Sequence, residues 1–282
     1  MHAIHKLGES FWYITPVSLT DRPILGMVVG SKKTLMIDAG NSEEHVNYFL
    51  EELKKRGIFK PDLVVLTHWH WDHIFGLSAL SDAVSIASKE TKAEMEKLIP
   101  FSWSDEAIDA RVKEGVEIEF CAKAIKEEYK NHRNINITLP DITIENRAEI
   151  DLGGVTCVVQ HVGGDHAADS VIVYIKEEKI LFLGDCIYPR LYAEKVHYTI
   201  SETLRVLDLL DSFDAETYIA SHQQPISKED FNKEVTMLRT IAKYTEDCNG
   251  DQPKIVKKYE DYVKRELTED ELDTISDFVN GY

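Results

Sequence analysis

Cysteine is scarce in this chain: Cys121, Cys157, Cys186 and Cys248 lie scattered over 282 residues with no C-x-x-C pair. A disulfide framework is not indicated, and a reducing cytoplasm is the expected setting. Long apolar runs are missing too. No window approaches the roughly 18 to 20 apolar residues of a membrane span, and no N-terminal stretch has the basic start and apolar core of a signal peptide. Positive charge is in deficit. With 32 basic against 50 acidic residues the formal charge is −18, a surface that repels nucleic acid and anionic membranes in the mean field. We read the acidity as an aid to solubility that also counts against polyanionic substrates. Internal repeats and low-complexity tracts are absent. An apolar fraction of 43% supports an ordinary globular core.

The N-terminal part reads as short strands in "SFWYITP", "ILGMVVGS" and "KTLMIDAGN", each bounded by Gly, Pro or Asn. A helix is expected from Ser42, with Val46, Phe49, Leu50 and Leu53 on its apolar face. "DLVVLT" reads as a buried strand, and a short helix is expected near Leu77 to Leu80. Residues 89–131 change character. They are charged and helical, broken at "IPFSWS", and form an expected insertion between two strand-rich halves. Strands resume in "NITL", "DITIE", "GVTCVVQHV", "SVIVYI" and "KILFLGD", with "KEEK" as a hairpin turn between the last two. A helix over about 201–211 and a strand in "AETYIAS" follow. After Pro225 the chain reads as helical, interrupted at "NGDQP" and restarted by a capping box from Thr268 to Glu271. The expected division is a catalytic domain over 1–248 that carries the insertion, and a helical extension over 249–282.

The chemistry is concentrated in "HWHWDH", residues 68–73, directly after the buried strand. Solvated turns favour Gly, Asn, Asp and Ser, so alternating His and Trp calls for another reason. His68, His70 and Asp72 fall at alternate positions and His73 turns toward a different point. One tetrahedral zinc in a catalytic site takes about three protein ligands and water. Two metals would use all four residues, given further donors. His166 in "HVGGDHAADS", Asp185 in "LFLGDC" and His222 in "YIASHQQP" are the candidates, each after an expected strand. Strand ends converging on one rim would bring them together.

These motifs resemble the metallo-β-lactamase-fold hydrolases. The family's H-x-H-x-D-H matches His68 to His73, and its later His, Asp and His match His166, Asp185 and His222 in order. "TLMIDAG" looks like the family's early strand motif, whose aspartate, here Asp38, supports the site without ligating metal. The similarity spans about residues 8 to 226 and points to a lactonase or glyoxalase II-like subgroup rather than a true β-lactamase. It implies a four-layer αβ/βα sandwich, an α/β (α+β) fold here carrying a helical insertion and a helical tail.

Transferred residue by residue, one metal is held by His68, His70 and His166 and the other by Asp72, His73 and His222, with Asp185 bridging. Zinc is the expected ion, and iron or manganese suit the same donors. Two such ions make a shared water a hydroxide at neutral pH, and Asp72 is placed to orient it and shuttle its proton. Lactonases of this fold carry a tyrosine at the spacing of Tyr188, which then stabilises oxyanion charge; related thioesterases have phenylalanine there, which makes an aromatic packing role the alternative. "GDHAADS" stands where the family has "PGHTPGS", so His166 is the expected ligand and His161 a supporting or core group. His2, His5, His45, His132 and His197 are expected at the surface, and at least one of Trp69 and Trp71 as packing. Cys186 reads as a small buried residue.

The implied activity is metal-dependent hydrolysis of a small-molecule ester, lactone or thioester. A small-molecule phosphodiesterase and a metal-binding protein without turnover are the alternatives. Charge disfavours a transfer-RNA processing nuclease, and length excludes enzymes that append a flavin domain. The expected partners are a small substrate and a possible second copy of the chain, with neither nucleic acid nor membrane. The insertion is expected to lie over the metal rim with Phe101 and Trp103 walling the substrate pocket, or else to be a dimerisation arm.

Overall fold

The computed structural model describes residues 2–282. One mixed sheet runs in chain order through β1 (Ile4–Leu7), β2 (Phe11–Ile14), β3 (Leu25–Val29), β4 (Thr34–Ile37), β5 (Leu63–Val65), β6 (Val84–Ser88) and β7 (Ile142–Ile144). Its first four strands meander antiparallel, and β4 to β7 are parallel. The second sheet contains β8 (Arg147–Asp151), β9 (Thr156–His161), β10 (Val171–Ile175), β11 (Ile180–Gly184), β12 (Thr217–Ala220) and β13 (Ile226–Ser227), in spatial order from β13 back to β8.

The sheets face each other because their central strands are apolar on both sides. Val28, Leu35, Ile37 and Val65 interdigitate with Val171, Val173, Ile180 and Phe182 in one core between the sheets. Their neighbours along the same strands, such as Met27, Met36 and Val64, point the opposite way into a core shared with helices. Ile172, Leu181 and Leu183 do the same on the second sheet. Strands buried on both faces read as continuous hydrophobic runs, which is how "LVVL" and "ILFLG" stand out. The order of layers is therefore helix, sheet, sheet, helix.

On the outer face of the first sheet lie α1 (Glu43–Lys54), the single turn α2 (Trp71–Ile74), α3 (Lys89–Leu98), α4 (Asp105–Lys113) and α5 (Glu119–Glu128). The second sheet is covered by α6 (Ile200–Leu210), α7 (Lys228–Asp247), α8 (Gln252–Val263) and α9 (Glu269–Asn280). Ser42, Ser88, Ser104, Ser227, Asp251 and Thr268 cap the starts of α1, α3, α4, α7, α8 and α9 by accepting from a backbone N–H of the first turn. Each such cap contributes about 1 kcal/mol. The expected capping box at Thr268 and Glu271 is present, and "KEEK" joins antiparallel β10 to β11.

Some elements differ from the expectation. "NITL" forms no strand. The charged run after Ser104 is two helices, because Gly115 takes a left-handed backbone (φ 71°) between them. β1, β6 and β8 were not anticipated. β1 and β8 are short edge strands with only two apolar residues each, and β6 is the Ser/Ala-diluted "VSIAS"; β8 alternates, but over five residues with a single large apolar side chain, Ile150.

Candidate metal centre

The strands β4, β5, β9, β11 and β12 end at one rim of the sandwich, and each delivers a polar side chain there. Asp38 follows β4 in a left-handed conformation (φ 62°). The segment after β5 carries His68 and, in extended backbone, His70, then Asp72 and His73 on α2. His166 sits in the loop after β9, Asp185 directly after β11 and His222 two residues after β12. Main-chain bonds pin the rim across the two sheets: Val171 N–H donates to Thr67 O at 2.8 Å, and Ile24 N–H to Ser221 O at 2.7 Å. Gly184 is required here. Its backbone is left-handed (φ 56°), and a Cβ would stand 2.9 Å from the Thr67 Cβ.

All seven expected donors come together in two groups. His68, His70 and His166 can each offer an atom within 4.8 Å of the others, and so can Asp72, His73, Asp185 and His222. Asp185 Oδ2 stands between the groups. It lies 3.4 Å from His166 Nε2 and 4.0 Å from His68 Nε2 on one side, and 3.5 Å from His73 Nε2 and 3.2 Å from His222 Nε2 on the other. Asp72 Oδ2 is 3.0 Å from His73 Nε2 and 3.2 Å from His222 Nε2.

The inner atoms are buried and unpartnered. Nε2 of His68, His73 and His166, Oδ2 of Asp72 and Oδ1 of Asp185 have no hydrogen-bond partner, where natural interiors leave few such atoms. Behind them the outer nitrogens are held. His73 Nδ1 meets Asp38 Oδ2 at 2.8 Å, His68 Nδ1 meets Thr67 Oγ1 at 3.1 Å and His166 Nδ1 meets Pro189 O at 3.3 Å. Asp38 is wholly buried and also accepts from Thr67 N–H at 2.7 Å and Thr67 Oγ1 at 2.9 Å. An imidazole held at one nitrogen presents the other as a lone pair, the arrangement expected of a metal ligand. The donors fit divalent cations: orphaned atoms of imidazole and carboxylate, converging from strand ends.

The electrostatics divide the two groups. Burial and the neighbouring histidines push His68 and His70 well below the usual imidazole range, and burial lowers His166 as well, leaving neutral donors. Burial also disfavours charge on His73, His222, Asp72 and Asp185, but their mutual attraction outweighs it. The two histidines are held well above their usual range and the two carboxyls below theirs.

Tyr188 lines a cavity of about 290 Å³ above the donors, and its buried hydroxyl has no partner. Trp71 packs against Phe75 in the core below the first sheet while also forming part of the cavity wall. Cys186 is buried and outside both donor groups. His161 is half-buried and meets Ala168 O at 3.0 Å, so it braces the loop that carries His166. On this geometry His166→Ala is expected to lose one bound ion, and His161→Ala to keep full metal content by elemental analysis.

Two expectations are corrected. His45 is not at the surface. It is fully buried, with both ring nitrogens unpartnered, because it shares the inward stripe of α1 with Phe49 and Leu53 at i+4 and i+8. His2 is half-buried beside it, with Nδ1 3.0 Å from Thr15 O. Phe101 and Trp103 do not wall the cavity above the donors. They line a separate cavity of about 140 Å³ one layer behind, stacked on Arg111. From the same insertion, Phe120 and Cys121 of α5 take the wall position.

The sequence reading missed four further residues. Asp21 lines the cavity 3.4 Å from His222 Nδ1. Tyr192 lies over His70 with ring centres 5.1 Å apart and donates to Glu117 at 2.9 Å. Asp169 accepts from Trp69 N–H at 2.9 Å and Thr91 Oγ1 at 2.8 Å, anchoring the histidine segment. Glu117, half-buried on the loop before α5, ties the insertion to Tyr192. Only Asp169 had a local signal, the Asp-Ser after "HAA".

Comparison with known proteins agrees with this architecture. The family model described as the metallo-beta-lactamase superfamily matches residues 20–222. An acyl-coenzyme A thioesterase of Homo sapiens, MBLAC2, is 25% identical over 239 residues, covering 78% of this chain and 81% of that protein. A metallo-beta-lactamase from Pontibacter korlensis superposes with a TM-score of 0.57 at 19% identity, covering 81% of this chain and 94% of that one. An inverting sec-alkylsulfatase, Pisa1 from Pseudomonas sp., gives 0.66 at 14% identity, covering 86% of this chain but 42% of that one. These two structures share the fold. The described residues contain no helix long and apolar enough to cross a membrane. With the family model spanning most of its length, the chain belongs to the metallo-beta-lactamase superfamily, as a metal-dependent hydrolase.

Proposed function

We propose that the chain hydrolyses a small acyl ester, lactone or thioester with two divalent cations, one at His68, His70 and His166 and one at Asp72, His73 and His222, with Asp185 shared. The observation that carries this reading is the position of Asp185 Oδ2, within 4.0 Å of imidazoles from both donor groups. Zinc is the ion these donors suit first, with iron or manganese also compatible. When bound, such cations supply Lewis acidity and lower the pKa of water.

The chain's own residues do the rest. Asp72 contacts His73 and His222 through Oδ2 and also lines the cavity, so it is placed to hold a proton passing between water and leaving group. The Tyr188 hydroxyl, buried and unpartnered, is available to donate to a substrate carbonyl oxygen as charge develops on it. Trp71, Phe120, Pro189, Leu191 and Tyr192 give the cavity mostly apolar walls. At about 290 Å³ it is at the small end for ligand sites. Apolar walls and an acidic rim favour an uncharged acyl group over a phosphate. The thioester option is supported by the likeness to a thioesterase.

The test sets nitrophenyl acyl esters and acyl thioesters against bis-nitrophenyl phosphate, with elemental analysis of protein purified without chelator. Two ions per chain and chelator-sensitive turnover of acyl substrates alone are expected. Preference for the phosphodiester, or one ion per chain that excess metal does not raise, overturns the proposal.

A further inference from the structure

We infer that Asp21 is a positioning residue that completes the second ion's site by orienting His222. The inference rests on the binuclear reading above and adds a residue outside the seven donors. His222 is the most loosely held donor. Its side chain is 26% exposed, against 5% or less for the other donors that form close pairs, and it sits on a turn beyond the end of β12. Its Nε2 points at Asp72 and Asp185, each at 3.2 Å. On the other side of the ring, Nδ1 faces Asp21 Oδ1 at an ion-pair distance of 3.4 Å.

Asp21 is delivered there by a rigid frame. Residues 17–22 are pinched shut by reciprocal bonds between Val17 and Arg22 at 2.9 and 3.0 Å. Asn41 Nδ2 donates to Thr20 O at 2.7 Å. Arg22 holds the buried Glu128 of α5 through Nη2 at 2.7 Å and Nε at 3.0 Å. Two residues beyond Arg22, Ile24 N–H donates to Ser221 O, so the Asp21 turn and the His222 turn are joined by main chain. Asp21 itself adopts a left-handed backbone (φ 52°), a conformation that costs an ordinary residue about 1 kcal/mol and that Asn and Asp tolerate best.

Placement gives a second reason. Among the described residues, four carboxylates contact the donor imidazoles: Asp21, Asp38, Asp72 and Asp185. Asp72 and Asp185 face the inner nitrogens, while Asp38 stands behind His73 Nδ1 and Asp21 behind His222 Nδ1, so each histidine of the second ion's site has a carboxylate at its outer nitrogen.

The experiment compares Asp21→Asn, which keeps an acceptor and tolerates the left-handed backbone, with Asp21→Gly, which keeps the backbone and removes the side chain. Each ion's affinity is read by competition with a chromogenic zinc chelator, with thermal unfolding of the metal-free proteins as the fold control. Asp21→Gly is expected to weaken one ion by about 10- to 100-fold and leave the other unchanged. Asp21→Asn should fall in between, with metal-free unfolding close to wild type. Wild-type affinity for both ions in Asp21→Gly overturns the inference, and so does equal weakening of both ions. A wild-type chain that takes only one ion instead removes the binuclear reading on which the inference stands.

Discussion

Asp185→Ala is expected to reduce kcat by at least about a thousand-fold, roughly 4 kcal/mol of barrier, and to leave no more than one ion firmly bound. The side chain is nearly wholly buried, and its Oδ2 is the atom closest to both donor groups. Removing it leaves His73 and His222 with only Asp72 between them at the centre of the second group. Asp185→Asn keeps the shape and discards the charge. It should restore packing but not turnover, since an amide oxygen is a weak bridge between two cations. The check is elemental analysis with steady-state rates on an acyl ester, alongside thermal unfolding of the metal-free forms. Full activity in Asp185→Ala would remove the shared carboxylate from the account. Loss of activity with both ions retained would move its role from binding metal to aligning substrate.

The residues behind this prediction were legible in the sequence because the donors lie just beyond strands, three of which are nearly unbroken apolar runs. "LVVLT", "ILFLG" and "TYIA" announce strands, and the polar residue that ends each run stands out against them. The support for the donors was only partly legible. Asp38 lies at the end of "TLMI" and follows the same rule. Asp21 does not, because it sits in a turn between β2 and β3 whose proximity to His222 exists only once β3 has paired and Ile24 has reached Ser221. Tyr192 is similar, placed by a loop after Asp185 that folds back over His70. His45 shows a different failure. The stripe of Phe49 and Leu53 extends through it, but a histidine among charged residues was counted as polar, although its neutral ring can be buried. The edge strands β1 and β8 were hard to read because they are four and five residues long with two apolar positions each, too short for alternation to stand out.

The insertion yields the second large effect, split between Trp103, which the sequence pointed to as the pocket wall, and Phe120, which the structure puts there. Phe120 is 55% exposed although it lines the cavity above the donors, so its ring is free to meet a bound acyl chain rather than packed into the core. Trp103 meets Phe75 edge to face with ring centres 4.8 Å apart, and its ring lies under the Arg111 guanidinium at 4.8 Å. It holds α4 and the loop before it to the first sheet's core. Phe120→Ala is therefore expected to raise KM for bulky acyl esters by about tenfold, near 1.4 kcal/mol of apolar contact, with metal content and thermal stability unchanged. Trp103→Ala is expected to destabilise the chain by about 3 kcal/mol, the low end for losing a packed aromatic, with a smaller change in KM. Short esters such as acetate should not distinguish Phe120→Ala from wild type, because they do not reach α5. Chain-length profiles of kcat/KM, unfolding curves and the oligomeric mass of both variants separate the possibilities. If Phe120→Ala leaves every profile unchanged while the mass shifts, α5 serves as an arm between copies and the cavity wall above the donors is incidental.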